Sequence, residues 1–252
     1  MPPQKFWGIL LGIVLIFTGC QDATTLTAPT SLDPRAAATR PADDTSASPI
    51  VSPQYPAGAT VIAAIGDSIT YGRGGTGGGY PTILEAKLRA AGYNVVVLNE
   101  GIPGEKSPET EARFLGTIAG AKMVLLMIGM NDIVNPVACS DYSCDTIGRI
   151  DRMLRMAAIS KITPLVSTVT PIRTGSYFEP FNWNVRGLNA EIYARAAAQN
   201  VVVVDNYAAI LAQGGDALYS DFSVHFNDQG YAVMAQQWYD AIVNNKLIKK
   251  NE

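Results

Sequence analysis

Histidine is nearly absent from this chain: one residue, His225, among 252. Cysteine is scarce too, with three. A zinc cage built from several imidazoles or thiolates cannot be assembled from such a sequence, so neither a metal nor another cofactor is expected. Any mechanism that needs an imidazole must use His225. Charge is sparse, at 16% of residues, and nearly balanced, with 19 Lys and Arg against 22 Asp and Glu for a net charge of −3. No basic run precedes the Lys249-Lys250 tail, so there is no field able to neutralise a row of phosphates, and nucleic acid is excluded as an expected partner. What the chain does have is apolar mass. At 48% hydrophobic it can bury a substantial core, enough for one or at most two domains, and wholesale disorder is excluded.

Residues 1–20 read as an address rather than as part of the fold. A positive charge at Lys5 is followed by an apolar stretch from Phe6 to Phe17 and then Thr18-Gly19-Cys20. About 12 residues at a helical rise of roughly 1.5 Å span only ~18 Å, well short of the ~30 Å hydrocarbon core of a bilayer. This is the pattern of a secretory signal. Its end resembles a bacterial lipobox, which implies lipidation of Cys20 and a membrane anchor. The alternative is a signal cut elsewhere and a protein released without an anchor. Either way the mature protein is expected outside the cytoplasm. Residues 21–57 are rich in Ala, Thr, Ser, Pro and Asp and bury too little to offset the entropy of ordering, so they read as a disordered tether. Such a coil reaches roughly 30 Å. Cys139 and Cys144 lie in a short polar loop of an exported protein and are expected to form a local disulfide that stiffens it, the alternative being two free thiols.

Residues 58–248 read as the folded domain. Continuous Val, Ile, Leu and Ala runs at Thr60 to Ile65, Asn94 to Leu98, Lys122 to Ile128, Ile162 to Val169 and Val201 to Asp205 predict five strands buried on both faces of a parallel sheet. Helical patterns at Tyr80 to Ala91, Pro108 to Ala119, Asp145 to Ser160, Trp183 to Gln199 and Asp228 to Asn244 alternate with them. Repeated β-α units predict a three-layer α/β/α sandwich with right-handed crossovers. In such a sheet ligands bind at the carboxyl ends of the strands, so the loops leaving those ends are where chemistry belongs.

Those loops carry unusual residues. The first reads Gly66-Asp67-Ser68-Ile69-Thr70, the second Asn99-Glu100-Gly101-Ile102-Pro103-Gly104, the third Gly129-Met130-Asn131-Asp132. Near the C-terminus stands Asp221-Phe222-Ser223-Val224-His225. Taken singly, such residues serve more often as turn and cap residues. All four blocks, in this order and on these strand ends, resemble the SGNH or GDSL hydrolase family over roughly Gly58 to Val243. The resemblance implies a flavodoxin-like SGNH hydrolase fold and a serine esterase. The residue chemistry runs in parallel. A serine hydroxyl needs a base to take its proton as it attacks, and His225 is the imidazole available. A carboxylate then orients the ring, and Asp221 is the nearest candidate upstream. The resemblance assigns the oxyanion hole to the backbone N–H groups of Ser68 and Gly104 and to the Asn131 amide.

One departure stands out. The family's acid usually lies three residues before the histidine, a position held here by Phe222. Either the loop bulges to bring Asp221, four residues before, onto His225, or a backbone carbonyl or another acid orients the ring. Asp221 is the favoured reading. The rival motif is Gly72-Arg73-Gly74-Gly75-Thr76-Gly77, a formal dinucleotide fingerprint with Glu100 near the ribose-binding position. It fails on position, because Asp67 to Tyr71 intervene between it and the first strand. For the substrate, Tyr177, Phe178, Phe181 and Trp183 are candidates to line an acyl or sugar site, or else pack their loop onto its own helix. The expected activity is an acyl-enzyme hydrolysis on Ser68 of small-molecule or glycan esters, short acyl or acetyl groups foremost, by a monomer. An O-acyltransferase acting on a glycan and a non-catalytic carbohydrate-binding module are the alternatives.

Overall fold

The computed structural model of the protein describes residues 55–135 and 145–250. The expected signal, Cys20, the tether as far as residue 54, and the Cys139–Cys144 pair lie outside the described residues. Five strands form one parallel sheet: β1 (Thr60–Gly66), β2 (Val95–Gly101), β3 (Met123–Met127), β4 (Thr163–Ser167) and β5 (Val202–Val204), in the order β2-β1-β3-β4-β5. Burial follows position. β3, in the middle, is buried at every residue, whereas β2, at an edge, alternates buried and half-buried positions over its first half.

Right-handed crossovers decide where the helices go. The chain steps from β1 to β2 in one direction along the sheet, then from β2 past β1 to β3, β4 and β5 in the other. Its connecting helices must therefore cover opposite faces. α2 (Gly79–Ala90), after β1, packs against α8 (Asp228–Asn244), which also carries α7 (Asn206–Gln213). α3 (Ser107–Thr117), α5 (Thr146–Ile159) and α6 (Asn182–Gln199) succeed one another on the second face. On the first face Tyr80 of α2 stacks on Trp238 of α8, ring centroids 5.8 Å apart, both fully buried. The architecture is the three-layer α/β/α sandwich expected from the alternating runs.

Strand order reverses between β1 and β3, and that switch point is where a doubly wound sheet opens a crevice. The register makes the opening level: Gly66 pairs with Gly101 of β2 and with Met127 of β3, so three loops leave the sheet side by side. Only glycine fits at Gly66, where a Cβ would collide with the Met127 carbonyl oxygen and the Thr70 hydroxyl. β4 is shorter than its apolar run because Asn189 of α6 captures Val169, two residues past the strand's end. Its amide accepts from Val169 N at 2.7 Å and donates to Val169 O at 2.9 Å, replacing a strand partner with a side chain.

Candidate active site

α1 (Ser68–Tyr71) begins in the turn that leaves β1. Asp67 caps it, its Oδ1 accepting from Ile69 N at 2.9 Å, and Ser68 is the first helical residue, 5% exposed. An N-terminal position leaves the Ser68 N–H without a helical acceptor. The Ser68 hydroxyl lies 3.0 Å from His225 Nε2, across 157 residues of sequence.

His225 is held from both sides of its loop. Tyr219 and Phe226 form an antiparallel bridge, and Ser220 N donates to the His225 carbonyl at 3.0 Å, so residues 220–225 are the tip of a tight hairpin. Immediately beyond, Asn227 caps α8, accepting from the N–H groups of Gln229 and Gly230. Asp221 closes the tip. Its Oδ1 accepts from Ser223 N at 2.9 Å and His225 N at 3.3 Å, and its Oδ2 lies 2.5 Å from His225 Nδ1. The four-residue spacing is thus met by the bulge that the sequence left as one of two options. The carboxylate folds back over its own turn, and the extra residue, Phe222, is pushed outward and left 76% exposed. There the Arg173 guanidinium sits 3.8 Å over its ring.

Asn131 lies in α4 (Met130–Val134), directly after the turn at Gly129. Its Nδ2 donates to the Glu105 carbonyl at 2.9 Å and stands 3.5 Å from Asp67 Oδ2. The loop after β3 is thereby tied to the loop after β2 one residue beyond Gly104, and Ile102 N ties that same loop to the end of β1 by donating to Gly66 O. Gly104 has φ +83, in the left-handed region that glycine adopts without strain. Glu105 fixes this segment. Arg113 of α3 clamps both its carboxylate oxygens at 2.6 Å and reaches on to the Glu100 carbonyl. Neither Glu105 nor Arg113 stood out in the sequence, although an acid directly after the second glycine and an arginine on the next helix were both visible there.

The carboxyl of Asp67, next to Ser68, is buried beside a cavity of about 10 Å³ whose other walls include Ile69, Met127, Met130 and Val169. Burial raises its pKa to about 7, helped by the negative charges of Asp132 and Glu105 and opposed by the Ile69 hydrogen bond. The glycine-rich segment after α1 is fastened to α8, with Thr76 donating through N and Oγ1 to Asp228 and Tyr231 donating to the Arg73 carbonyl. A cleft of about 430 Å³ runs beside it, lined by Tyr71, Gly72, Asn99 and Gly101 among others. The aromatic loop after β4 divides. Phe178 and Phe181 pack against the core, while Tyr177 and Trp183 are 86% and 75% exposed. Trp183 faces Arg186 and Tyr177 meets Phe178, and none of the four touches Ser68, Asp221 or His225 by hydrogen bond or ring contact.

A doubly wound α/β domain with a serine, an imidazole and a carboxylate in line at its switch point has the layout of a hydrolase that works through a serine hydroxyl. Residues 64–233 match the GDSL-like lipase/acylhydrolase family model. The chain belongs to that family, and with it to the carboxylic ester hydrolases. No curated protein matches the chain. Among solved structures it is similar to the lipase/acylhydrolase from Enterococcus faecalis, at 20% identity and a TM-score of 0.65, covering 77% of this chain and 99% of that one. A lipolytic protein of the G-D-S-L family from Veillonella parvula gives 25% identity and 0.61, over 73% and 99% of the two chains. An acetylxylan esterase from Geobacillus stearothermophilus gives 21% and 0.63, over 73% and 94%.

Proposed function

We propose that Ser68, His225 and Asp221 are a catalytic triad that removes small acyl groups, acetyl foremost, from esters of carbohydrate hydroxyls. The single observation that carries this reading is the unbroken relay from Ser68 Oγ to His225 Nε2 and from His225 Nδ1 to the Asp221 carboxylate. Ser68 Oγ attacks the ester carbonyl as His225 Nε2 takes its proton, and Asp221 holds the ring and balances the imidazolium. The carbonyl oxygen becomes an oxyanion facing the N–H groups of Ser68 and Gly104 and the Asn131 amide. Collapse of the tetrahedral species breaks the bond to the alcohol oxygen, which leaves with the proton from His225. Water then attacks the acyl-enzyme, giving its proton to His225, and the carboxylic acid departs as Ser68 regains its hydrogen. A preference for acetylated sugar is supported by the likeness to an acetylxylan esterase.

Turnover of p-nitrophenyl acetate and covalent labelling by a fluorophosphonate test the assignment together. Ser68→Ala is expected to lose labelling altogether and to lower turnover by at least about 10³-fold while the thermal melt stays unchanged. A Ser68→Ala protein that turns over at the wild-type rate overturns it. We further read the chain as exported and tethered through Cys20, supported by the apolar run that ends in Thr18-Gly19-Cys20. Incorporation of labelled fatty acid that Cys20→Ser abolishes is the expected result.

A further inference from the structure

The alcohol half of the ester has to leave past His225, because that ring delivers the proton to the departing oxygen. Groups beside His225 on the outer side of the loop are therefore placed to meet the alcohol rather than the acyl group. Two such groups have no part in the relay. Phe222 is a large apolar ring left 76% exposed, next in sequence to Asp221. Arg173 enters from the loop after β4, which is joined to the histidine loop: Arg173 N donates to the Ser223 carbonyl at 3.1 Å, and the Tyr219 hydroxyl donates to the Pro171 carbonyl at 2.6 Å. The guanidinium carbon lies over the Phe222 ring, 3.8 Å from its centroid. Its Nε is buried without an acceptor, and among the described residues no carboxylate pairs with it.

Resting on the esterase reading, we infer that Phe222 and Arg173 together form a subsite for the sugar ring that carries the ester. The open face of Phe222 fits the flat C–H face of a pyranose, and the guanidinium on its other face, which pairs with no carboxylate among the described residues, backs the ring on which the sugar lies. An aromatic residue standing where an acid usually stands is then more than a spacer. The four-residue turn keeps the acid on His225 and spends the added position on the alcohol side of the site. A short fatty alcohol or a glycerol has no flat ring to lay on Phe222 and gains little from the pair.

The test compares an acetylated xylo-oligosaccharide with ethyl acetate, which has no ring, in the full chain and in Phe222→Ala, Arg173→Gln and Phe222→Trp. Neither residue belongs to the relay, so ethyl acetate is expected to be cleaved by all four proteins with the same kcat/KM. For the oligosaccharide, Phe222→Ala and Arg173→Gln are expected to raise KM by about tenfold each, the loss of one good contact, with kcat little changed. Phe222→Trp is expected to restore the wild-type KM. Equal losses on both esters, or no change on the oligosaccharide, overturn the subsite. So does a wild-type preference for a lysophospholipid over the sugar ester. A wild-type protein that cleaves none of these esters and takes up no fluorophosphonate refutes the esterase reading instead, and so the two failures are told apart.

Discussion

Ser68 depends on Asp67 for its placement, because the carboxylate caps the four-residue helix α1 that presents the hydroxyl. The cap comes with an electrostatic cost. Asp67 is 2% exposed, and burial lifts its pKa from the usual 3.8 to about 7. The folded protein therefore binds a proton at Asp67 more tightly than the unfolded chain does. Sign follows from linkage: this group favours folding most below its unfolded pKa, and that contribution is lost as pH rises from about 4 through about 7. The loss is on the order of 4 kcal/mol at its limit. Asp67→Asn keeps the acceptor for Ile69 N and removes the titration. Urea midpoints at pH 5 and pH 8.5 should fall between those values in the wild type by more than they do in Asp67→Asn, and the variant should be the more stable protein at pH 8.5. Equal pH dependence in both would show that Asp67 is not the buried proton store. The sequence displayed Asp67 inside a motif and said nothing of this, since burial of its carboxyl comes from Met127, Met130 and Val169, which arrive from other parts of the chain. By contrast the grouping of Ser68, His225 and Asp221 was legible because each sits in a short block of unusual residues, Ser68 directly after β1 and the other two in the turn before α8. The bulge at Asp221 was legible only as one of two options, since the choice depends on backbone N–H groups of Ser223 and His225 that no residue code reveals.

Elements were legible wherever burial on both faces writes an unbroken apolar run, as in β1 and β3. They were not where a side chain from elsewhere decides the boundary. β4 stops at Ser167 although the apolar run continues to Val169, because Asn189 takes both backbone groups of Val169. α7 (Asn206–Gln213) escaped notice within a loop-rich stretch, although Asp205 caps it through Ala208 N at 3.0 Å and Gly214 follows its last residue. Eight residues carry too short a period to stand out against neighbouring turns. Asn189 yields a prediction at this scale. It is 6% exposed, and Asn189→Ala would strand an N–H and a carbonyl in the interior. Each unpaired group costs about 1–3 kcal/mol, so a loss of about 2–4 kcal/mol is expected in chemical denaturation. Asn189→Asp keeps the acceptor alone and should fall nearly as far, whereas a plain loss of volume would leave Asp close to wild type. Because Val169 leads directly into the segment bearing Arg173, the same variants should lose discrimination for the sugar ester before they lose turnover of ethyl acetate.

At the scale of the whole molecule, parallel strands fix a polarity. Every strand runs toward the edge that carries Ser68, so the chain that precedes β1 enters at the opposite edge. Seven residues of β1 at roughly 3.3 Å each separate Thr60 from Gly66 by about 20 Å. The entering segment is fastened at that far edge, where the Ala59 N–H donates to Pro56 O, Asn94 donates to Ala57 O and Tyr55 packs on the core. None of these contacts reaches the site. All the residues assigned a role in the relay, the oxyanion hole and the sugar subsite fall within residues 55–250. A chain of residues 55–250 is therefore expected to melt at the same temperature as the full chain and to cleave a soluble sugar acetate with kcat/KM within about twofold. Carrying the cut further, to start at residue 60, removes Tyr55 and the two backbone acceptors and should lower the melting temperature while leaving KM alone, because the lost contacts lie at the edge away from Ser68. A fall in kcat/KM on cutting at residue 55 would mean that the preceding segment takes part in catalysis, and that the division between tether and enzyme is drawn in the wrong place.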